Sequence, residues 1–142
     1  FLVALEKNGE RAIIDPFHEG VSRNPSELRE LLKLVAGPDA ELSAEMYAPV
    51  TDRAVLLRLQ SNIRLRLVQM RSFEKAVRIV ESMLLFAPGQ SEIWRDLGML
   101  NLQLGNLSTS IQAFESSITC ENVDSRRQET TELLQALQRR MN

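Results

Sequence analysis

A thiol, an imidazole and a carboxylate are the parts of a nucleophilic site. This 142-residue chain has one cysteine, Cys120, and one histidine, His18, with Asp15 three positions before the histidine. Such a site needs thiolate and imidazole within hydrogen-bond reach and a third group to orient the imidazole. Cys120 stands far downstream, in a stretch of helical period, and reads as a small packed residue of the kind thiols commonly are. His18 reads as a loop residue satisfying its neighbours. Asp15-Pro16 fits ordinary turn chemistry. One cysteine rules out an internal disulfide and a multi-cysteine metal site, and it fits a reducing compartment. No glycine-rich phosphate loop and no metal-spaced cluster occurs, so no cofactor and no metal are expected.

The remaining chemistry is charge. The net charge is −2, but Arg53 to Arg78 carries six Arg and one Lys against Glu74 alone. That stretch is therefore +6 and the remainder −8. Arg53, Arg64 and Arg71 fall close to one helical face at 100° per residue, while Arg58 and Arg66 point elsewhere. Two readings stay open, a solvated surface or a groove for acidic segments of a protein partner. Nucleic acid is not favoured, because no aromatics interleave with the cations. No apolar run exceeds the five residues of Met83–Ala87, against the roughly 18 a membrane span requires. No signal peptide is visible, and a cytoplasmic location is expected.

The elements that must carry these residues change character at Thr51. Before it, Phe1 to Glu6 and Arg11 to Asp15 read as strands joined by a tight Asn8-Gly9 turn. Phe1 already reads as strand, so the chain is expected to be a fragment whose sheet partners lie upstream. Phe17 to Arg23 reads as loop. Asn24, Pro25 and Glu27 open a helix whose stripe is Leu28, Leu31, Leu32 and Leu34-Val35, stopped by Gly37-Pro38. Residues 39–50 read as linker with at most a short turn. After Thr51 everything is helical. Val55, Leu56, Leu59, Ile63 and Leu67 mark the buried side of the first helix. Phe73, Ala76, Val77, Val80 and Leu84 mark the second, and Ile93, Trp94, Leu97, Leu100 and Leu104 the third. Leu107, Ile111, Phe114 and Ile118 mark the fourth. A capping box at Ser125 and Gln128 opens a last helix with Leu133, Leu134, Leu137 and Met141.

Residues 57–90 superpose on 91–124. Ile63 falls on Leu97, Ala76 on Ser110, Val77 on Ile111, Val80 on Phe114, and the break at Arg71-Ser72 on Gly105-Asn106. A 34-residue period of helix, turn, helix is the signature of tetratricopeptide arrays. Trp94, Leu97, Gly98, Gly105 and Phe114 stand where that family's Trp, Leu-Gly, turn and Phe stand. The first unit is similar through Ala76 and Pro88, and departs with Gln60 for the Trp and Arg64 for the Gly. Residues 125–140 would then be a solvating last helix. The implied fold is mainly α, a superhelix of tetratricopeptide helix pairs over 51–142, preceded over 1–50 by a short β-hairpin and one helix. The resemblance also implies that the first helix of each pair lines a peptide groove. Carried over by the repeat, its lining is Arg58, Ser61, Leu65 and Gln69, then Glu92, Arg95, Met99 and Gln103. Ser61 and Leu65 stand where chaperone-binding members hold Lys and Asn, so a chaperone carboxylate is not the expected ligand.

The front end, with Ile-Ile-Asp-Pro-Phe after an Asn-Gly turn, is similar to the end of a transglutaminase-like core. On that match Asp15 stands at the triad carboxylate, and the family's Cys and His would lie upstream of Phe1. Joined to Ser26-Glu27-Leu28, to Ala48 through Arg53 and to the repeats, it resembles the C-terminal half of the SirB-type bacterial family. Two functions follow from the resemblance. One is a non-catalytic interaction scaffold that presents helix pairs to a protein partner or to its own upstream domain. The other is a remnant of a cysteine hydrolase or acyltransferase.

Overall fold

Asn8 and Gly9 both hold positive φ, 52° and 83°, the pairing a two-residue hairpin turn demands. They join β1 (Val3–Lys7) to β2 (Glu10–Asp15), antiparallel from Lys7↔Glu10 to Val3↔Ile14. The computed structural model describes residues 2–141, so the strand residue expected at Phe1 lies outside the described residues. The chain divides into two units, Phe1–Pro49 and Val50–Asn142.

In the first unit the expected loop after Asp15 contains a third strand. The N–H groups of His18 and Gly20 both donate to the Asp15 carbonyl, at 3.3 and 3.0 Å. The chain is thereby reversed, and β3 (Val21–Arg23) pairs antiparallel with β2 through Asp15↔Val21 and Ile13↔Arg23. The sheet order is β1-β2-β3. α1 (Pro25–Ala36) starts where Asn24 accepts from the N–H groups of Ser26 and Glu27, while the Glu27 carboxylate accepts from the Asn24 N–H at 2.8 Å. Its expected stripe holds only in part. Leu28 is buried and Leu31 and Leu32 are half-buried, but Leu34 and Val35 are 82% and 88% exposed. Among the described residues of this unit nothing covers the last turn. Ala44–Tyr47 forms a 3-10 turn within the linker.

The second unit is five helices: α2 (Asp52–Gln69), α3 (Phe73–Phe86), α4 (Ser91–Gln103), α5 (Leu107–Cys120) and α6 (Asp124–Met141). Each packs on the next in chain order. Thr51 caps α2, its hydroxyl accepting from the Ala54 N–H at 3.2 Å. The turns after α2 and α4 close identically. Ser72 N–H donates to Leu67 O and Arg71 N–H to Val68 O; Asn106 N–H donates to Asn101 O and Gly105 N–H to Leu102 O. This is the Schellman closure, whose left-handed residue is usually glycine. Gly105 takes it at φ 77°, but Arg71 takes it at φ 54°, at a cost of about 1 kcal/mol or more.

The tightest contact is between α4 and α5. Gly98 is buried, and a Cβ there would lie 2.7 Å from the Phe114 ring. Phe114 is fully buried, and Ser110 donates from Oγ to the Gly98 carbonyl at 2.8 Å. Ser117 donates likewise to the Ser91 carbonyl at 2.9 Å. Small residues thus let two backbones approach over a glycine, as the spacing predicts. Trp94 is only half-buried, its Nε1–H donating to the Pro88 carbonyl at 2.7 Å. One core cluster runs from Ala76, Val80 and Met83 to Ile93, Leu97 and Leu100. A second gathers Phe114, Leu134 and Leu137.

Two expectations fail here. No residue of α2 is buried, and Val55, Leu56, Leu59 and Ile63 are 40–53% exposed. Of the expected stripe only Leu67 packs on the core, joined there by Leu57 and Val68. Within its own unit α2, the first helix of the array, packs chiefly on α3, whereas α4, which carries the same pattern, is flanked by α3 and α5. The last helix begins at Asp124, which puts Ser125 inside the first turn rather than at the cap. Met141 ends α6, and its side chain lies outside the described residues.

Candidate functional site

In the first unit the chemistry gathers on Asp15, a residue only 4% exposed. Its Oδ1 accepts from the Phe17 N–H at 3.1 Å. Its Oδ2 lies 2.8 Å from His18 Nδ1 and accepts from Arg23 through Nη2 at 3.0 Å and Nε at 3.3 Å. Burial pushes the carboxyl up, but the hydrogen bonds from His18, Arg23 and Phe17 together outweigh it and hold the group below the ordinary 3.8. Asp15 therefore ties the β2–β3 turn to Arg23 and to an exposed imidazole. A carboxylate holding a histidine Nδ1 is the orienting half of a nucleophilic site. Cys120 belongs to the second unit, where its Sγ contacts the Pro88 carbonyl at 3.7 Å.

In the second unit two neighbouring cavities open along α2, α4 and α6. The first, about 470 Å³, is lined by Arg64, Ser91, Glu92, Arg95, Asp96, Met99, Ser117, Glu121, Arg126 and Thr130. Its charges answer one another. Arg126 reaches Glu92 at 2.7 Å, Arg95 reaches Glu129 at 3.5 Å, and Ser91 Oγ donates to Glu121 at 2.7 Å. The Ser91 hydroxyl, with the Val123 N–H, holds the Glu121 carboxyl below its usual range. Arg127 Nη2 also donates to the Glu121 carbonyl. The second cavity, about 580 Å³, is lined by Arg64, Val68, Gln69, Arg71, Phe73, Asp96, Met99, Leu100 and Gln103. The two meet at the Arg64–Asp96 pair, 2.6 Å apart. There burial pushes Asp96 above 3.8, the guanidinium only partly pulling it back.

Comparison with known proteins matches residues 63–139 to the tetratricopeptide repeat. The chain belongs to the tetratricopeptide repeat family. Such arrays use a concave face built from successive repeats as a protein-binding surface. Residues 1–61 match the transglutaminase-like superfamily, so the two matches meet inside α2. Two relatives are UPF0162 proteins of Xylella fastidiosa. The strain 9a5c protein is 32% identical over 111 residues, covering 76% of this chain and 40% of the relative. The Temecula1 protein is 31% identical over 114 residues, covering 78% and 41%. The chain thus spans about two-fifths of the length of the relatives it matches. No solved structure matches.

Within the repeats, Gln69, Glu92, Arg95, Met99 and Gln103 line these cavities, whereas Arg58, Ser61 and Leu65 do not. Leu65 is half-exposed and Ser61 is half-buried. Arg64 and Arg71, placed on one face by their spacing, both line the cavities, whereas Arg53 of the same face does not; sequence reasoning missed Asp96 as a lining residue. For the left-handed backbone of Arg71 the signal was present: its repeat partner is Gly105, so an arginine there occupies a glycine position. No helix among the described residues is long and apolar enough to cross a membrane.

Proposed function

We propose that this chain is a non-catalytic interaction scaffold, the C-terminal helical module of a SirB-like bacterial protein, which receives a protein or peptide segment in the cytoplasm. The binding face is the inner side of α2, α4 and α6. One observation carries the reading: two adjoining cavities share Arg64, Asp96 and Met99, so a single ligand segment can cross from one repeat to the next. Met99 is 41% exposed at that junction, so a bulky charge there obstructs both cavities without entering the core. The test is selection of displayed peptides on the wild-type chain, with the selected peptides remeasured on Met99→Arg. Affinity should fall at least about tenfold with the circular dichroism unchanged. Equal affinity sinks the groove reading.

A second reading, a transglutaminase-like cysteine hydrolase or acyltransferase completed by other residues of a longer protein, is supported by the match over 1–61 and by the buried Asp15 carboxylate. Against it, Oδ2 already engages His18 and Arg23, which leaves Asp15 little capacity to orient a further imidazole.

A further inference from the structure

α2 carries a second surface that the groove does not use. Asp52, Leu56, Leu59, Ile63, Arg66 and Met70 follow one another at alternating steps of four and three, the spacing of a seam that faces another helix. All six are exposed, and so is Val55 beside them. None of them lines either cavity, so this surface is independent of the partner-binding reading above.

The repeat identifies the kind of surface. One period on, Leu59, Ile63 and Arg66 become Ile93, Leu97 and Leu100. Those three are buried in the core cluster with Ala76, Val80 and Met83 of α3. In α4 the stripe therefore receives the preceding helix. Among the described residues of its unit, no helix precedes α2.

The charges select the helix that fits. Where α4 has Leu100, α2 has Arg66, which an apolar covering helix would bury without a counter-ion. Asp52 lies 14 positions before Arg66, two heptads, and so at the same place on the seam. Neither has an ion-pair partner among the described residues. Leu59 stands midway between them. A second α2 laid antiparallel across the first, crossing at Leu59, sets each Asp52 against the other copy's Arg66. Each Val55 then faces the other Ile63, and Leu59 meets its own counterpart. Such a contact is self-complementary, as a two-fold interface requires, and it lays each acidic helix start over a basic helix end. A parallel pair would oppose like charges at both ends.

We propose that two copies of this chain associate through α2 in this antiparallel crossing. The helix is 18 residues long, or about 27 Å. Two such faces bury on the order of 1,000 Å², the low end for a specific interface, so the dimer is a micromolar one.

The experiment is sedimentation equilibrium of the whole chain from about 5 to 500 μM, a range that brackets a micromolar dissociation constant. The wild-type chain should pass from monomer to dimer across it. Arg66→Asp and Asp52→Arg each oppose like charges and should each weaken association at least about tenfold. The exchange Asp52→Arg/Arg66→Asp restores both pairs and should return it to within about threefold of wild type. Leu65→Asp, on an exposed leucine of α2 outside the seam, should leave it within about twofold. Every one of these side chains is exposed, so the circular dichroism should not change. In a Cys120→Ser background, Leu59→Cys should oxidise to a linked dimer in air, and Leu65→Cys should not. A chain that stays monomeric throughout overturns the inference and leaves the seam to other residues of a longer protein. A dimer that Arg66→Asp does not weaken, or that the exchange does not restore, overturns it as well.

Discussion

Gly98→Ala puts the α4–α5 contact under direct strain. The new methyl would lie 2.7, 2.8 and 2.9 Å from Cε1, Cδ1 and Cζ of Phe114, against an ordinary carbon contact of about 3.5–4.0 Å. The ring is fully buried, so relief requires α4 and α5 to part. Overpacking of this kind costs about 1–3 kcal/mol, and parting also stretches the 2.8 Å bond from Ser110 to the Gly98 carbonyl, about 1 kcal/mol more. Against this, alanine gains about 1 kcal/mol over glycine as a helix former. The net is a loss of about 1–3 kcal/mol. Urea unfolding followed by Trp94 fluorescence reads this unit, because Trp94 is the only tryptophan and sits on α4. With an m-value of about 1–2 kcal/mol/M the midpoint falls by about 1 M. Adding Phe114→Leu should make the double variant less damaging than the sum of the singles, a coupling of about 1 kcal/mol. An unchanged or raised midpoint for Gly98→Ala refutes the close-approach argument.

Phe114→Ala should cost about 3–5 kcal/mol; the half-buried Trp94→Ala should cost less, about 2 kcal/mol, and calorimetry ranks them. Asp15, held below 3.8, contributes stability that is present above about pH 3.8 and lost as pH falls through its folded value. A carbon-detected NMR titration should place its midpoint under 3.8, and Arg23→Met should move it upward; a wild-type midpoint at or above 3.8 contradicts the pairing. Asp96 has the opposite sign: its value is raised, so stability declines as pH rises from 3.8 through the folded value. Arg64→Met should raise the Asp96 midpoint further in the same titration, and a fall would refute the assignment of the 2.6 Å pair.

What could be read from the sequence was the chemistry that acts locally. Asn8-Gly9 and Asn24-Pro25 declare a turn and a helix start through residues whose preferences are strong on their own. Gly98 and Phe114 declared the α4–α5 contact because they stand at the repeat's small and large positions, although the first repeat has Arg64 and Val80 there. The stripe on α2 misled because Val55, Leu59 and Ile63 carry the same periodicity as α4, and periodicity does not say whether a helix lies inside an array or at its edge. The strand at Val21–Arg23 was too short to show alternation, and it depends on a turn built by the Asp15 carbonyl. Asp15 was singled out by resemblance, but its engagement by Arg23 crosses a strand pair that the sequence reading did not contain. The left-handed backbone of Arg71 went unread because arginine gives no sign of one; only its alignment on Gly105 does.

The account rests on α2 and α4 offering one continuous face to a ligand, and amide chemical-shift mapping tests that most directly. On titrating a peptide selected on the wild-type chain into labelled protein, the perturbed amides should cluster at residues 64–73 and 96–103. Perturbations spread instead over the outer faces of α3 and α5, or confined to the first unit, would contradict it.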